Sequence, residues 1–480
     1  MTRVAEVTRA ADPPAPSAPA WRSLLGAPGP REGLWLGLVL SLLACLPFIV
    51  ARYPQMTDYS SHLARWHIML DGGRSPWLAQ HYIFTWRWSG NLGADLLIWP
   101  MAKLFGLEAG GRILGAMVPV LTGLGLVSID WALRRRVEAG TLLAFATIWS
   151  PALCMGLLNF GLALALALLA FAGWVRLETW RWRWAVFIPV GFAVWLSHIA
   201  GWGVLGVLVL SYELHRKRSP AALIAPWPLA FPLLAQLMGA GEPMGGNLWG
   251  NDVLRFKFSI WLQALRDQNF MFDMDTLCLI LLVIAYSAIR KRLDGRLGWA
   301  TLAMFILTLA MPRHLGGGDY ADYRLIAVAL MVGCLALSWR APRWLLWLAP
   351  LPFLLRLGAT TEAWEANSRR MATILTVIDR IPQGARVASA VEEDRGEWPL
   401  NPFEHVGSYA TVRRDALVNT HFAIPGVHML RVRDASPAFA DPSHRVFVQP
   451  KTNLDLSKFA PAREADYLWF IGKRTAVGMP

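Results

Sequence analysis

The sequence predicts a polytopic α-helical membrane protein with about eleven transmembrane helices, a structured first external loop and a C-terminal external α/β domain. Three observations carry this expectation. Of 480 residues, 55% are hydrophobic and only 16% charged, too apolar a balance for a soluble chain of this size. Apolar runs recur through the first three quarters of the chain at lengths near the roughly 20 residues that a crossing helix needs. Positive charge collects in alternate connections between those runs, as it does on the cytoplasmic side of membrane proteins. The 40 Gly, 31 Pro and 25 Trp suit the same class, since membrane helices tolerate Gly and Pro and Trp gathers at lipid interfaces. A soluble enzyme and a collagen-like chain are excluded.

Residues 1–32 read as a disordered cytoplasmic tail, Pro/Ala-rich over 11–20, and not as a cleavable signal, because the first apolar run begins only near Leu34. Spans follow at 33–51, 113–133, 141–153, 156–175, 184–197, 199–214, 221–239, 276–289, 297–312, 323–339 and 344–358. With the N-terminus inside, segments 1–32, 134–140, 176–183, 213–219, 290–296 and 340–343 are cytoplasmic and hold 19 Lys+Arg against 7 Asp+Glu. The external segments 51–112, 240–275 and 312–324 hold 11 of each. The clusters Arg134-Arg135-Arg136, Arg216-Lys217-Arg218 and Arg290-Lys291-Arg292 carry most of that contrast. If the run 92–107 crossed the membrane, it would put the triple Arg cluster outside. It therefore reads as an interfacial or re-entrant helix within an external loop of residues 52–112.

The membrane domain thus covers 33–358, and 359–480 reads as a soluble extracytoplasmic domain in which 362–381 and 406–422 are helical and 386–391, 427–432, 445–448 and 467–471 are strands. Of the formal net charge of +13, nearly all lies before residue 360, where 31 Lys+Arg face 19 Asp+Glu; the counts after it are 15 and 14. The excess is a topology signal, so no nucleic-acid partner is expected. The four cysteines, Cys45, Cys154, Cys278 and Cys334, fall inside apolar runs without metal-type spacing and read as small core residues. There is no GxGxxG, no P-loop and no internal repeat, so nucleotide binding has no support.

Chemistry concentrates at the outer ends of spans. Directly after the first span comes Thr57-Asp58-Tyr59-Ser60-Ser61-His62-Leu63-Ala64-Arg65. With Thr57 as cap, Asp58, His62 and Arg65 fall on one helical face, and Leu63, Trp66 and Leu70 on the other. A carboxylate, an imidazole and a guanidinium on one face suit proton abstraction from a hydroxyl and stabilisation of a departing phosphate. The same pattern also fits a solvated helix start. Between two later spans stands Pro312-Arg313-His314-Leu315-Gly316-Gly317-Gly318-Asp319-Tyr320-Ala321-Asp322-Tyr323-Arg324. Arg324, at the mouth of the next span, is the first candidate for a phosphate or pyrophosphate head group, with Arg313 and His314 behind it; the plainer reading is arginines that snorkel to the interface. His198 lies between apolar runs and is either a site residue or a hydrogen-bonded structural one. Asn159 reads as an interhelix hydrogen-bonding residue, Asp130 as a partner of the Arg134 cluster, and 256–272 as an interfacial helix that also suits a lid.

These residues together resemble the GT-C superfamily of membrane glycosyltransferases, in particular the protein O-mannosyltransferases and the aminoarabinose transferase. The likeness rests on the acid just after span one, the juxtamembrane helices of the first loop, the external C-terminal domain, and the stretch Asn91-Leu92-Gly93-Ala94-Asp95 to Leu104-Phe105-Gly106, Gly111-Arg112 and the Arg134-Arg135-Arg136 end of its span. Asp58 to Arg65 is similar to the first-loop motif of uncharacterised bacterial members. No second acid adjoins Asp58, unlike the Asp-Glu pair of the mannosyltransferases, and Asn91-Leu92-Gly93 lacks the family's frequent Pro-Pro. The resemblance implies an inverting transfer of a sugar from a polyprenyl-phosphate donor to a glycan, lipid or protein acceptor, in an inner cell membrane and for envelope polysaccharide synthesis. Asp58 would be the base with His62 beside it, and Arg65, Arg324, Arg313, His314 and His198 would face the donor phosphate. No cofactor is required by this reading, although Asp58 and His62 leave room for a divalent cation. Two other classes stay open: a transporter or flippase of lipid-linked sugars, and a non-catalytic scaffold of envelope polysaccharide assembly.

Overall fold

Helical segments occupy all eleven expected positions, but they are built in two ways. Among the described residues, five are long and apolar enough to cross a membrane: Glu32–Val50, Leu107–Arg134, Leu158–Arg176, Phe270–Ile289 and Arg343–Arg380. The others are shorter, such as Arg183–Ser197, Gly295–Ala310 and Tyr323–Leu335, or carry charge at one end, as Ile199–Lys217 does. The computed structural model describes residues 25–238, 247–316, 318–393, 396–423, 428–433, 437–440, 446–448, 454–455, 457, 459–472 and 476–477. The Pro/Ala-rich stretch 11–20 lies outside the described residues, as do Val427 and Arg445, the first residues of two expected strands.

Four of the expected spans are interrupted, two of them only briefly, at Ala44 and Cys45 and at Ala349 and Pro350. Residues 139–155 form Ala139–Ala144, a 3-10 turn Phe145–Thr147 and Pro151–Met155. Such breaks leave backbone carbonyls that lipid cannot satisfy, so a side chain must. Arg356 does this: it donates to the carbonyls of Ala146 and Trp149 and to that of Leu265 at 2.6 Å, and pairs with Asp273 at 2.7 Å. Asp273→Asn keeps the shape and removes the countercharge. It is expected to cost about 2 kcal/mol, read as a lower unfolding temperature in detergent; an unchanged temperature would mean that the carbonyls alone satisfy Arg356. Residues 220–238 are likewise interrupted, as 3-10 turns Pro220–Leu223 and Trp227–Ala230 before the helix Pro232–Met238, because Pro220, Pro226, Pro228 and Pro232 each remove a helix donor.

The external run expected at 92–107 is the helix Gly93–Phe105, separated from the next span by Gly106, whose φ of +80° no side chain adopts easily. Nothing interrupts the chain after Gly106, so that span begins at Leu107, earlier than expected. On the opposite face Asp130 pairs with Arg134, as expected. The cysteines are all free, but only Cys154 and Cys334 are buried; Cys278 is exposed on a helix surface.

The composition change near residue 360 falls inside one continuous helix, Leu351–Leu375, prolonged by the 3-10 turn Thr376–Arg380. Beyond it, Arg386–Glu393 is the centre of a parallel sheet: Tyr467–Ile471 pairs along one edge, and Leu417–Val418 and Val446–Val448 follow one another along the other. Only Ser408–Arg414 of the expected helix 406–422 is helical. Asp415, at φ +50°, ends it and turns Leu417–Val418 into the sheet.

This C-terminal region is fastened to the segment 52–112 that follows the first span. Tyr82–Phe84 of that segment pairs antiparallel with Leu430–Val432, Arg413 grips Glu108 through two contacts of 3.1 Å, and Asp415 accepts from His67 at 2.8 Å and Ser75 at 2.7 Å. Burial pushes the Asp415 carboxyl up, but the hydrogen bonds from His67 and Ser75 outweigh it and hold it below its ordinary value of 3.8. The clamp is therefore fully present above that value and is lost as the pH falls through the lower folded one. Asp415→Asn is expected to show a smaller drop in unfolding temperature between about pH 5 and pH 3 than the unsubstituted chain, measured by scanning fluorimetry; identical drops would remove Asp415 from the acid response.

Candidate active site

Asp58 is set by the backbone on both sides of it. Thr57 and Asp58 donate their amides to the carbonyls of Cys154, at 3.1 Å, and Met155, at 2.8 Å. The next residue, Gly156, has φ +91°, and a Cβ there would stand 3.3 Å from the Asp58 Cβ. Asp58, not Thr57, is the residue that precedes the helix Tyr59–Asp71, yet its side chain makes no capping bond. The carboxylate instead lines a cavity. Thr57 Oγ1 is buried beside it without a hydrogen-bond partner among the described residues.

His62 and Arg65, expected on the same face, are turned to other work. The Nε2 of His62 donates to the Gly156 carbonyl at 3.1 Å, which leaves Nδ1 to accept from Arg65 at 3.5 Å. Burial first, and then the Arg65 charge, push the imidazole down to about 3, so it is neutral at physiological pH. Arg65 pairs with Asp95 at 2.6 Å, and Asp95, fully buried, also accepts from Trp66 at 2.7 Å. Arg65 thereby locks the interfacial helix Gly93–Phe105 onto the Asp58 helix. Both nitrogens of His62 thus have partners of their own, and among the described residues no group of three or more His, Cys, Asp or Glu side chains forms a metal site.

His198 and Arg324 come together at 3.0 Å. His198 sits in extended conformation between the helices Arg183–Ser197 and Ile199–Lys217. The break is satisfied from the first loop: Leu92 donates to the Leu196 carbonyl at 2.7 Å and Ile199 donates to the Gly90 carbonyl at 2.8 Å. Asn159 holds the same loop, donating to Asn91 and accepting from Ala94 at 2.6 Å, so its partner is a loop and not a second span. Arg324 is carried on the first turn of Tyr323–Leu335, a helix start pinned by the 2.5 Å contact of Lys257 with Asp322. Its Nη2 donates to the Asp319 carbonyl at 2.9 Å, while its Nε is buried without a partner among the described residues.

This pair is short of acceptors. The Nδ1 of His198 faces the Ala200 amide at 3.0 Å and its Nε2 faces Arg324 Nη1. Whichever nitrogen carries the proton, at least one N–H points at another donor. An anion placed there would resolve the conflict and take the free Arg324 Nε as well. Asp58 stands near enough for its charge to act on Arg324. Arg313 and His314 line the same cavity, but Arg313 is held by Asp319 at 3.2 and 3.3 Å, and His314 pairs through its backbone with Leu248.

The cavity that joins these groups measures about 2780 Å³, several times the size that encloses an ordinary small ligand. Asp58, His198 and Arg324 stand in its wall together with apolar side chains from the helices, among them Val204, Val207, Ile260, Met304, Leu307 and Leu325. A space with both characters suits a large amphiphile better than a small polar substrate. No family model matches this chain, and no curated protein does. A solved structure that it is similar to is ArnT from Cupriavidus metallidurans bound to undecaprenyl phosphate, with 11% identity over 81% of this chain and 86% of that one and a TM-score of 0.49.

One histidine near Asp58 was not anticipated. His405, wholly buried, places its Nε2 3.6 Å from Asp58 Oδ1 and 3.8 Å from Glu404 Oε1, and Glu404 lines the cavity. The sequence holds one local hint, an acid–histidine pair directly after Asn401-Pro402-Phe403, a turn-like stretch that belongs to no apolar pattern.

Proposed function

We propose that this protein transfers a glycosyl group from a polyprenyl-phosphate carrier to an acceptor hydroxyl at the outer membrane surface, with inversion at the anomeric carbon. The observation that carries this reading is the Arg324–His198 pair, rich in donors and poor in acceptors, on one cavity with the Asp58 carboxylate. The pair matches a leaving phosphate, which gains negative charge as the glycosidic bond breaks. Asp58 orients the acceptor hydroxyl and removes its proton as its oxygen attacks. The apolar side chains of the wall accommodate the polyprenyl tail. His62 and Arg65 act indirectly: the first braces the Gly156 carbonyl against the Asp58 turn, and the second holds the interfacial helix. Arg313 and His314 flank the donor side. The acceptor is a glycan, a lipid or a protein that presents a hydroxyl.

The test is transfer of radiolabelled sugar from a panel of polyprenyl-phosphate donors by the full chain reconstituted in liposomes. Label in an acceptor fraction, with release of polyprenyl phosphate in equal amount, is the expected result. Donor binding without transfer, together with movement of the donor across the bilayer, would replace this reading by transport of lipid-linked sugars.

A further inference from the structure

The glycosyl-transfer reading leaves His405 unused, although it is held in place next to Asp58. Its Nδ1 donates to the Thr420 carbonyl at 2.6 Å. That same carbonyl receives Ser61 Oγ from the Asp58 helix at 3.3 Å, and the Thr420 hydroxyl is held by Ser408 at 2.7 Å. The ring packs on Phe422 with centroids 4.9 Å apart. An imidazole whose Nδ1–H is committed to a carbonyl keeps Nε2 as the nitrogen that takes and gives up a proton. Here Nε2 faces two carboxylates, Asp58 at 3.6 Å and Glu404 at 3.8 Å. Both carboxylates stand within ion-pair distance of that nitrogen.

We propose that His405 is a positioning residue that receives, through Asp58, the proton of the acceptor hydroxyl. The inference rests on the glycosyl-transfer reading and adds a member to its site. The acceptor O–H bond breaks as its oxygen forms a bond to the anomeric carbon. The bond from that carbon to the phosphate oxygen breaks, and its electron pair leaves with the lipid phosphate. The proton passes from the hydroxyl to Asp58 and on to His405 Nε2, which becomes an imidazolium between two carboxylates and, after product release, returns the proton to solvent by way of Glu404, which lines the cavity. Asp58 is thereby restored as a carboxylate for the next turnover. The base is then divided between the two regions that the sheet pairing of Tyr82–Phe84 with Leu430–Val432 holds together, so chemistry requires the C-terminal region to be docked.

The test uses the full chain in liposomes with a polyprenyl-phosphate sugar donor. His405→Asn places an amide where it still donates to the Thr420 carbonyl but has no Nε2. Transfer is expected to fall about 10- to 30-fold at unchanged donor KM, the acid limb of the pH profile to lose the step that His405 supplies, and Asp58→Asn/His405→Asn to be no slower than Asp58→Asn. Independently of activity, the His405 signal in ¹⁵N-histidine spectra, identified by its absence in His405→Asn, is expected to titrate at lower pH in Asp58→Asn, where the facing charge is gone. Wild-type transfer with an uncoupled His405, a raised donor KM alone, or losses that multiply would overturn the relay and leave the transferase standing. No transfer by the wild type from any donor would overturn the transferase reading, and the relay with it.

Discussion

Asp58→Asn is expected to slow transfer by about 10³-fold while donor affinity stays within a factor of two or so. The size follows from what the substitution removes. Asparagine has the same shape, and the two amide bonds that place the residue, to the carbonyls of Cys154 and Met155, come from the backbone and are unaffected. The side chain makes no cap whose loss would unravel the helix. The mutant should therefore fold, bind and fail at the step that needs a proton acceptor. Gly156→Ala makes the complementary case: the added methyl would press on the Asp58 backbone and side chain at a φ that alanine resists, so both transfer and unfolding temperature should fall. A mutant in which Asp58→Asn transfers at the wild-type rate would end the role given to this carboxylate, whatever the donor proves to be.

Why Asp58 stands out in the sequence, and His405 does not, has a physical reason. Asp58 and Arg324 stand at the ends of apolar runs, where a charge is conspicuous against the apolar residues beside it. The membrane imposes a length and a charge asymmetry on the chain, and both are one-dimensional quantities, so the helical segments, the helix at 92–107 among them, could be read directly. Partnerships made across long separations leave no such mark. Arg65 looked available because Asp95 lies 30 residues away, and Arg313 looked free although Asp319 follows in the same loop. The broken segment at 139–155 read as a short span because its open carbonyls are satisfied by Arg356, more than 200 residues later. The misread helix at 406–422 has a local cause instead. Asp415 takes a left-handed conformation that ends the helix, and the sheet then claims Leu417–Val418; Asp tolerates that conformation better than most residues, but the sequence alone does not say where the sheet will be.

Arg324→Met should separate binding from architecture by moving two measurements in opposite directions. Without an anion, Arg324 faces one nitrogen of His198 across a contact that no tautomer satisfies fully, and its Nε has no acceptor among the described residues. Methionine fills similar space without a charge or a donor, so the ligand-free protein should unfold at a higher temperature than the wild type, as active-site substitutions that relieve a functional conflict do. With polyprenyl phosphate present the order should reverse. The wild type gains stability from a phosphate bound to a half-buried guanidinium, and the mutant, with affinity lowered by about 10²- to 10³-fold, gains little. Arg324→Lys should recover only part of the loss, because a point charge cannot keep the Asp319 carbonyl, face His198 and present a second donor to the phosphate at once. If Arg324 were merely structural, Met would lower the unfolding temperature with or without the lipid and leave the lipid-induced shift intact; that pattern would remove the phosphate site from this end of the cavity and leave Asp58 without a donor to act on.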